Sequence, residues 1–379
     1  MTDSLPVAET IPTDSPGEKP SKGTGLCLSG GGYRAMIFHV GVLWRLYEAQ
    51  LLKNVNRISS VSGGSITAAV LALKWGKLSF NPANIETDFV PEVVNPIRAL
   101  AGKTIDAPAI IFGITLPGRI SDRVAKAYQR YLFGETTLQH LPDEPRFVIN
   151  ATNVQSGALW RFMKPYMRDY RVGEVKNPKI PLSRAVAASS AFPPVLSPVE
   201  IPLDPKTFTP NSGLDLQREP FTSRVILSDG GVYDNLGLET VWKRYETVFV
   251  SDGGGKLQPE EAPKSDWARH AYRVLNLIDN QVRALRKRQV IESFKSGTRS
   301  GAYWGIRTNI ADYGLSDALP CPHDRTMELA ETPTRLKSLD GERQERLINW
   351  GYAVCDAALR KHVGVTGKPK GFPYPARKV

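Results

Sequence analysis

Gly30, Gly31 and Gly32 stand between a short apolar run and a long helical pattern, and this junction narrows the choice of fold sharply. The run Gly25-Leu26-Cys27-Leu28-Ser29 reads as a buried strand. From Tyr33 to Gln50, the residues Met36, Ile37, Val40, Leu43, Trp44 and Tyr47 recur on one face at a helical period. A strand entering a helix through glycines turns several backbone N–H groups toward one point, where the helix dipole adds positive potential. Such a turn suits an anion, either a phosphate or a developing oxyanion. Gly30 to Ala35 also fits the dinucleotide pattern G-x-G-x-x-G/A, which expects an acid at the end of the following strand. Here that strand ends Ile58-Ser59-Ser60-Val61-Ser62, without an acid.

The alternation continues along the chain. Arg57 to Val61 reads as a strand and Ser65 to Trp75 as a small-residue helix. Arg146 to Thr152 and Ala158 to Met163 read as a hairpin turning at Gln155-Ser156-Gly157. Arg224 to Ser228 and Thr247 to Ser251 are further strands, with helices at Leu236 to Tyr245, Ser265 to Ser296 and Gly341 to His362. This pattern predicts an α/β fold in three layers, with a central, mainly parallel sheet and helices on both faces. One domain is expected over residues 24–362, with 76–145 as a candidate cap. Residues 1–23 are expected to be disordered and 363–379 to form a flexible basic tail. Hydrophobic residues make up 41% and charged residues 23%, which excludes a chain disordered throughout. Cys27, Cys321 and Cys355 are too scattered for a disulfide framework or a zinc cluster.

A second junction carries chemistry. In Ser60-Val61-Ser62-Gly63-Gly64 a strand turns sharply into a helix, the setting of a nucleophile elbow. Ser62 is the candidate nucleophile, while Ser59, Ser60 and Ser65 read as buried or capping residues. A serine nucleophile needs a base. None of His39, His140, His270, His323 and His362 sits at an evident strand end, and His39 reads as a packing residue. A carboxylate serves if its geometry is right. Asp229 follows a strand and precedes Gly230-Gly231, and Asp252 repeats that arrangement after the next strand. Asp234 reads rather as a helix cap.

Taken in order, these blocks resemble the patatin-like phospholipases over roughly Gly25 to Ser251. The blocks are Gly30-Gly31-Gly32-Tyr33-Arg34, Ser60-Val61-Ser62-Gly63-Gly64, and Asp229-Gly230-Gly231-Val232-Tyr233-Asp234-Asn235. The stretch from Ala185 to Pro194 is similar to that family's small-residue helix ending at a proline. Ala35 and Ser60 stand where glycines are common in the family. The resemblance implies a Ser–Asp dyad of Ser62 and Asp229, favouring Asp229 over Asp252. It implies an oxyanion loop of Gly30, Gly31 and Gly32, with Arg34 supporting the loop or a substrate phosphate. The implied reaction is hydrolysis of an acyl ester in a phospholipid or lysophospholipid through an acyl-enzyme, needing no metal or organic cofactor. Acyl transfer on the same dyad is the nearest alternative. A nucleotide- or lipid-binding protein with a vestigial dyad is the more distant one.

The net charge of +11 is concentrated. Residues 281–300 hold six cations and one acid, and residues 361–379 hold five cations and no acid, so two stretches carry ten of the eleven excess charges. Such patches attract anionic lipid or nucleic acid; the plainer reading is a solvated helix face and a basic tail. Lipid is the expected partner and nucleic acid is not; an activating ligand stays open. The longest apolar stretch, Ala107 to Leu116, contains Pro108 and Gly113 and is too short to span a membrane. The opening MTDSLPVAET lacks the basic and apolar segments of a secretory signal. These features together predict a cytoplasmic protein that contacts the membrane peripherally; Ala107 to Leu116 reads first as a buried core segment and second as a candidate for shallow insertion.

Overall fold

A computed structural model describes residues 20–106 and 119–379. Residues 1–19 and the segment Ala107 to Leu116 therefore lie outside the described residues. Strand β1 (Ser21–Leu28) leads through the glycines into α1 (Gly32–Glu48), and β2 (Arg57–Ser60) leads into α2 (Gly63–Lys74). The first strand thus starts three residues before the expected domain boundary. Parallel pairing joins β1 to β2 and β2 to β3 (Arg146–Asn153). On its other edge β1 pairs with β9 (Tyr245–Asp252), which pairs with β10 (Ser300–Gly305), again in parallel.

Beyond β3 the sheet changes character. The hairpin partner β4 (Ala158–Phe162), then β5 (Tyr166–Asp169) and β6 (Gly173–Lys176), extend it in antiparallel fashion. Strand β7 (Val199–Pro202) pairs with β8 (Arg224–Asp229), which runs antiparallel onto β3. The sheet is therefore mixed. Its parallel half is the five-strand part built by strand–helix alternation, and its antiparallel half comes from hairpin-like connections.

Three regions differ from the sequence-based picture. The described part of 76–145 includes α3 (Asn95–Ala101) and α4 (Arg119–Tyr128). It places Phe89, Val93, Ile97, Leu100, Tyr128 and Phe133 in the main core, so it does not stand apart as a cap. Past α5 (Leu182–Ser189) and the short α6 (Gly231–Asp234), the helix expected at 236–245 is reduced to α7 (Glu239–Trp242), which follows Gly237 with φ 67°. The last region is the C-terminus. After α8 (Trp267–Lys295), α9 (His323–Ala330) and α10 (Gly341–Ala358), the final residues are pinned. Asn349 on α10, fully buried, exchanges hydrogen bonds with the Tyr374 backbone at 2.9 Å in both directions. Its amide also donates to the Lys378 carbonyl, 2.6 Å.

Side-chain alternation along the parallel strands divides the core. Leu26, Leu28, Phe249 and Trp304 face the main core, whereas Cys27, Val248, Val250 and Tyr303 face a smaller cluster. The main core contains α1 and α10. Helix α1 is buried on nearly every side and not along a single stripe. It reaches α10 so closely that a Cβ at Gly41 would strike the Ile348 carbonyl, and one at Gly351 the Phe38 carbonyl. The smaller cluster takes Val241 from α7, the adjoining Leu238, and Val290 from α8.

Candidate active site

Strand β3 brings the two candidate residues together. Along one edge it first pairs with β2, where Ser60 lies opposite Ile149. Two residues further along it pairs with β8, where Asp229 lies opposite Ala151. Since β8 runs antiparallel, β2 and β8 point their C-terminal ends at each other. The side chains at and just past those ends, Asp229 and Ser62, meet above β3. Asn150 secures the junction by donating to Ser59 Oγ and to the Ser60 carbonyl, both at 2.9 Å. Thr152 Oγ1 donates to the Asp229 carbonyl at 2.8 Å.

Ser62 adopts φ 51° and ψ −119°, a conformation that costs a non-glycine residue about 1–3 kcal/mol. Two contacts hold it there. Its N–H donates to Ser189 Oγ at 3.0 Å, on α5, and Ser65 Oγ lies 2.9 Å from the same hydroxyl. Gly63 lets the elbow close against the glycine loop, since a Cβ there would land on the Gly32 carbonyl oxygen. The Ser62 hydroxyl lies close enough to the Asp229 carboxylate to favour its charged form. That carboxylate accepts the Gly231 N–H at 2.7 Å. Burial pushes the Asp229 pKa up to about 7, against the opposing pull of the Gly231 N–H and the Ser62 hydroxyl; nearby Asp279 raises it further.

The glycine loop does not present all its N–H groups. That of Gly30 is donated to both the backbone carbonyl and Oδ1 of Asn235, each at 3.0 Å. Gly30, Gly31 and Gly32 all border a cavity of about 530 Å³ that also holds Ser62 and Asp229. Asn235 thus fastens the Asp229 block to the loop, a role that no spacing in the sequence signals. Arg34 is buried beneath the loop. It donates to the Gly253 carbonyl at 3.1 Å, the Thr332 carbonyl and Thr334 Oγ1 at 2.9 Å. Burial, then Arg283 and Arg307, lower its pKa to about 9. These bonds join the start of α1 to the Gly253 turn and to Thr332 and Thr334.

The rival carboxylates are committed elsewhere. Asp252 accepts Tyr303 Oη at 2.8 Å and the Gly254 N–H at 2.9 Å. Burial alone would raise its pKa, but Arg283 and these bonds hold it below the ordinary value. Asp234 accepts from the Leu236 and Glu239 N–H groups as a cap. His39 is fully buried between Ser251 Oγ (2.8 Å) and the Ser29 carbonyl (3.0 Å), and burial lowers its pKa to about 4. Among the described residues no group of histidine, cysteine and carboxylate side chains is gathered for a metal ion. Helix α8 lies over the cavity, with Tyr272, Asn276, Asp279 and Arg283 facing it. The basic pattern of this helix is evident in the sequence, but its place above the candidate dyad is not. A buried serine–carboxylate pair beside glycine N–H groups and a cavity is equipped for acyl transfer through a covalent intermediate.

Comparison with known proteins agrees on family and fold. Among solved structures, human GIVD cytosolic phospholipase A2 in complex with methyl gamma-linolenyl fluorophosphonate aligns with a TM-score of 0.51 and 15% identity, covering 89% of this chain and 57% of that one. VipD from Legionella pneumophila aligns with a TM-score of 0.31 and 16% identity, covering 86% and 72%. The chain spans about half the length of the human enzyme, whose likeness is one of fold. No curated protein matches in sequence. The family model described as patatin-like phospholipase matches residues 26–242, more than half of the chain. With that match over the very segment that carries both junctions and the Asp229 block, the chain belongs to the patatin-like phospholipase family.

Proposed function

We propose that this chain hydrolyses acyl esters of glycerophospholipids or lysophospholipids, with Ser62 as nucleophile and Asp229 as base. The observation that carries this reading is Ser62 beside a buried Asp229 carboxylate, both lining one cavity bordered by the glycine loop. Ser62 Oγ attacks the ester carbonyl and passes its proton to Asp229. The developing oxyanion accepts hydrogen bonds from the N–H groups of Gly31 and Gly32, that of Gly30 being taken by Asn235. The tetrahedral intermediate expels the alcohol portion, which takes the proton from Asp229. Water then gives a proton to Asp229 and attacks the acyl-enzyme; the fatty acid leaves, and the proton returns to Ser62. Arg335 borders the same cavity with its side chain 43% exposed, so it is better disposed than Arg34 toward a headgroup phosphate. Mass spectrometry of products from a mixed lipid extract tests the reading. The native chain is expected to release free fatty acid and the matching deacylated lipid, and Ser62→Ala neither. Fatty acid release that survives Ser62→Ala, or no release from any lipid, overturns it.

A further inference from the structure

Helix α8 is amphipathic in the inverted sense. At about 100° per residue, Trp267, Val274, Ile278 and Leu285 fall within about 40° of one another. The cavity-facing Tyr272, Asn276, Asp279 and Arg283 centre on the opposite side. The inward face is therefore polar and titratable, while the outward face is apolar and in water. Trp267 is 85% exposed, Leu285 57% and Ile278 52%. Among the described residues, six of the eleven exposed large apolar side chains lie on this one helix, and two more, Val195 and Val232, lie in segments that border the same cavity. A soluble helix ordinarily turns its apolar stripe inward. Here only Val290 and Ser293, near its C-terminal end, are buried.

We infer that the outward face of α8 is the surface by which this protein docks on an anionic lipid layer, setting the cavity over its substrate. The inference rests on the lipid-ester reading for its purpose but has its own test. Charge selects the occupant. Helix α8 carries seven cations against two acids, within a chain of net charge +11. A basic helix with an aromatic residue at one end of an apolar stripe suits the interface of an anionic bilayer. The position of the stripe, on the back of the helix that covers the cavity, puts the docked surface beside the cavity lips. The cations do not all contribute equally. Arg286 is engaged by Glu239 at 3.1 Å and Lys287 lies over the Tyr303 ring at 4.7 Å, whereas Arg288 is exposed. The apolar stripe is accordingly the main contributor and the charge a secondary one.

The test is co-sedimentation with vesicles of phosphatidylcholine mixed with phosphatidylglycerol, and with vesicles of phosphatidylcholine alone. The native chain is expected to bind the anionic vesicles more tightly, with a blue shift of tryptophan emission that is lost in Trp267→Phe. Val274→Ser/Ile278→Ser/Leu285→Ser should lower binding about ten-fold or more, since each side chain loses apolar area that the bilayer would bury. Its hydrolysis of soluble p-nitrophenyl butyrate should match the native rate, which also shows that the variant is folded. Equal vesicle binding by native and triple variant overturns the inference. So does a native dimer in light scattering that the triple variant converts to monomer, because the stripe is then a contact between copies. Docking without fatty acid release from any lipid would instead sink the hydrolase reading and leave the docking surface standing.

Discussion

At Asp229 burial and the proposed role as base pull in one direction. The carboxyl sits at about 7 instead of its ordinary 3.8 because it is buried, and a base near neutrality is well matched to taking a serine proton. The raised value also bears on stability. Between those two values the folded state holds a proton that the unfolded state has lost, so the contribution is complete below about pH 4 and is lost as pH rises through about 7. Hydrolysis should rise over the window in which stability falls. Asp229→Asn keeps the shape without the charge. It is expected to lose about 10²-fold or more in turnover. It should also flatten the pH dependence of unfolding and be more stable at pH 8 by up to about 4 kcal/mol, since each tenfold change in proton affinity is worth about 1.4 kcal/mol. Urea unfolding across pH 4–9, run beside initial rates, checks both. A native stability that stays level over that range would contradict the buried-acid account. Ser62 offers the companion case. Its φ of 51° is strained for serine and free for glycine. Ser62→Gly should therefore raise the melting temperature while abolishing labelling by a fluorophosphonate probe; a lower melting temperature would mean that the elbow is not strained.

Among the elements, β3 acts as the spacer of the site, and that is where sequence reading reached its limit. The strands on either side of Ser62 and Asp229 follow from apolar runs and glycine-bearing turns, both local signals. Nothing local states that β8 turns back antiparallel onto the same edge of β3 that β2 has just vacated. Such pairing is decided by long-range register. For the same reason β5, β6, β7 and β10 do not stand out in the sequence: they are four to six residues long, and β5 and β6 are half polar. The periodicity of α8 was readable, but a period cannot say which face meets the cavity. The spacer role yields a prediction. Gly230 has an ordinary helical φ of −60°, so its need is for space alone. A Cβ there would overlap the Asn150 carbonyl oxygen on β3. Gly230→Ala should push the Asp229 turn away from Ser62 and lower turnover on the order of 10²-fold, as a displacement of about 1 Å can. Circular dichroism should stay native. Turnover within two-fold of native would show that the β8 turn does not set the position of Asp229.

Over the whole molecule, the C-terminal residues act as a strap and not as the loose basic tail that their composition suggests. Composition reports charge, but here two of the four cations of residues 364–379 have acidic partners. Lys368 meets Asp317 at 2.8 Å and Arg377 meets Glu345 at 3.1 Å. The aromatic residues of the same stretch do more. The Tyr374 ring packs edge-on against Trp44 of α1 at 6.1 Å and lies under the Arg98 guanidinium at 4.7 Å. Phe372 and Val365 also pack on the main core. Arg45, buried on α1 and paired with Asp356 at 2.8 Å, donates as well to the Gly367 carbonyl. The strap therefore ties α1 to α10, two helices of the main core. Removing residues 364–379 would expose this apolar surface and open the Asn349 amide and the Arg45 pair to water. The expected loss is about 2–4 kcal/mol, mostly from the aromatic and aliphatic area uncovered. No residue of the strap borders the cavity, so hydrolysis of a soluble ester well below the melting temperature should be spared. Thermal unfolding of the truncated chain, with the ester rate at low temperature as the control, separates the two effects. A truncated chain that melts with the native one would return these residues to the status of a solvated tail.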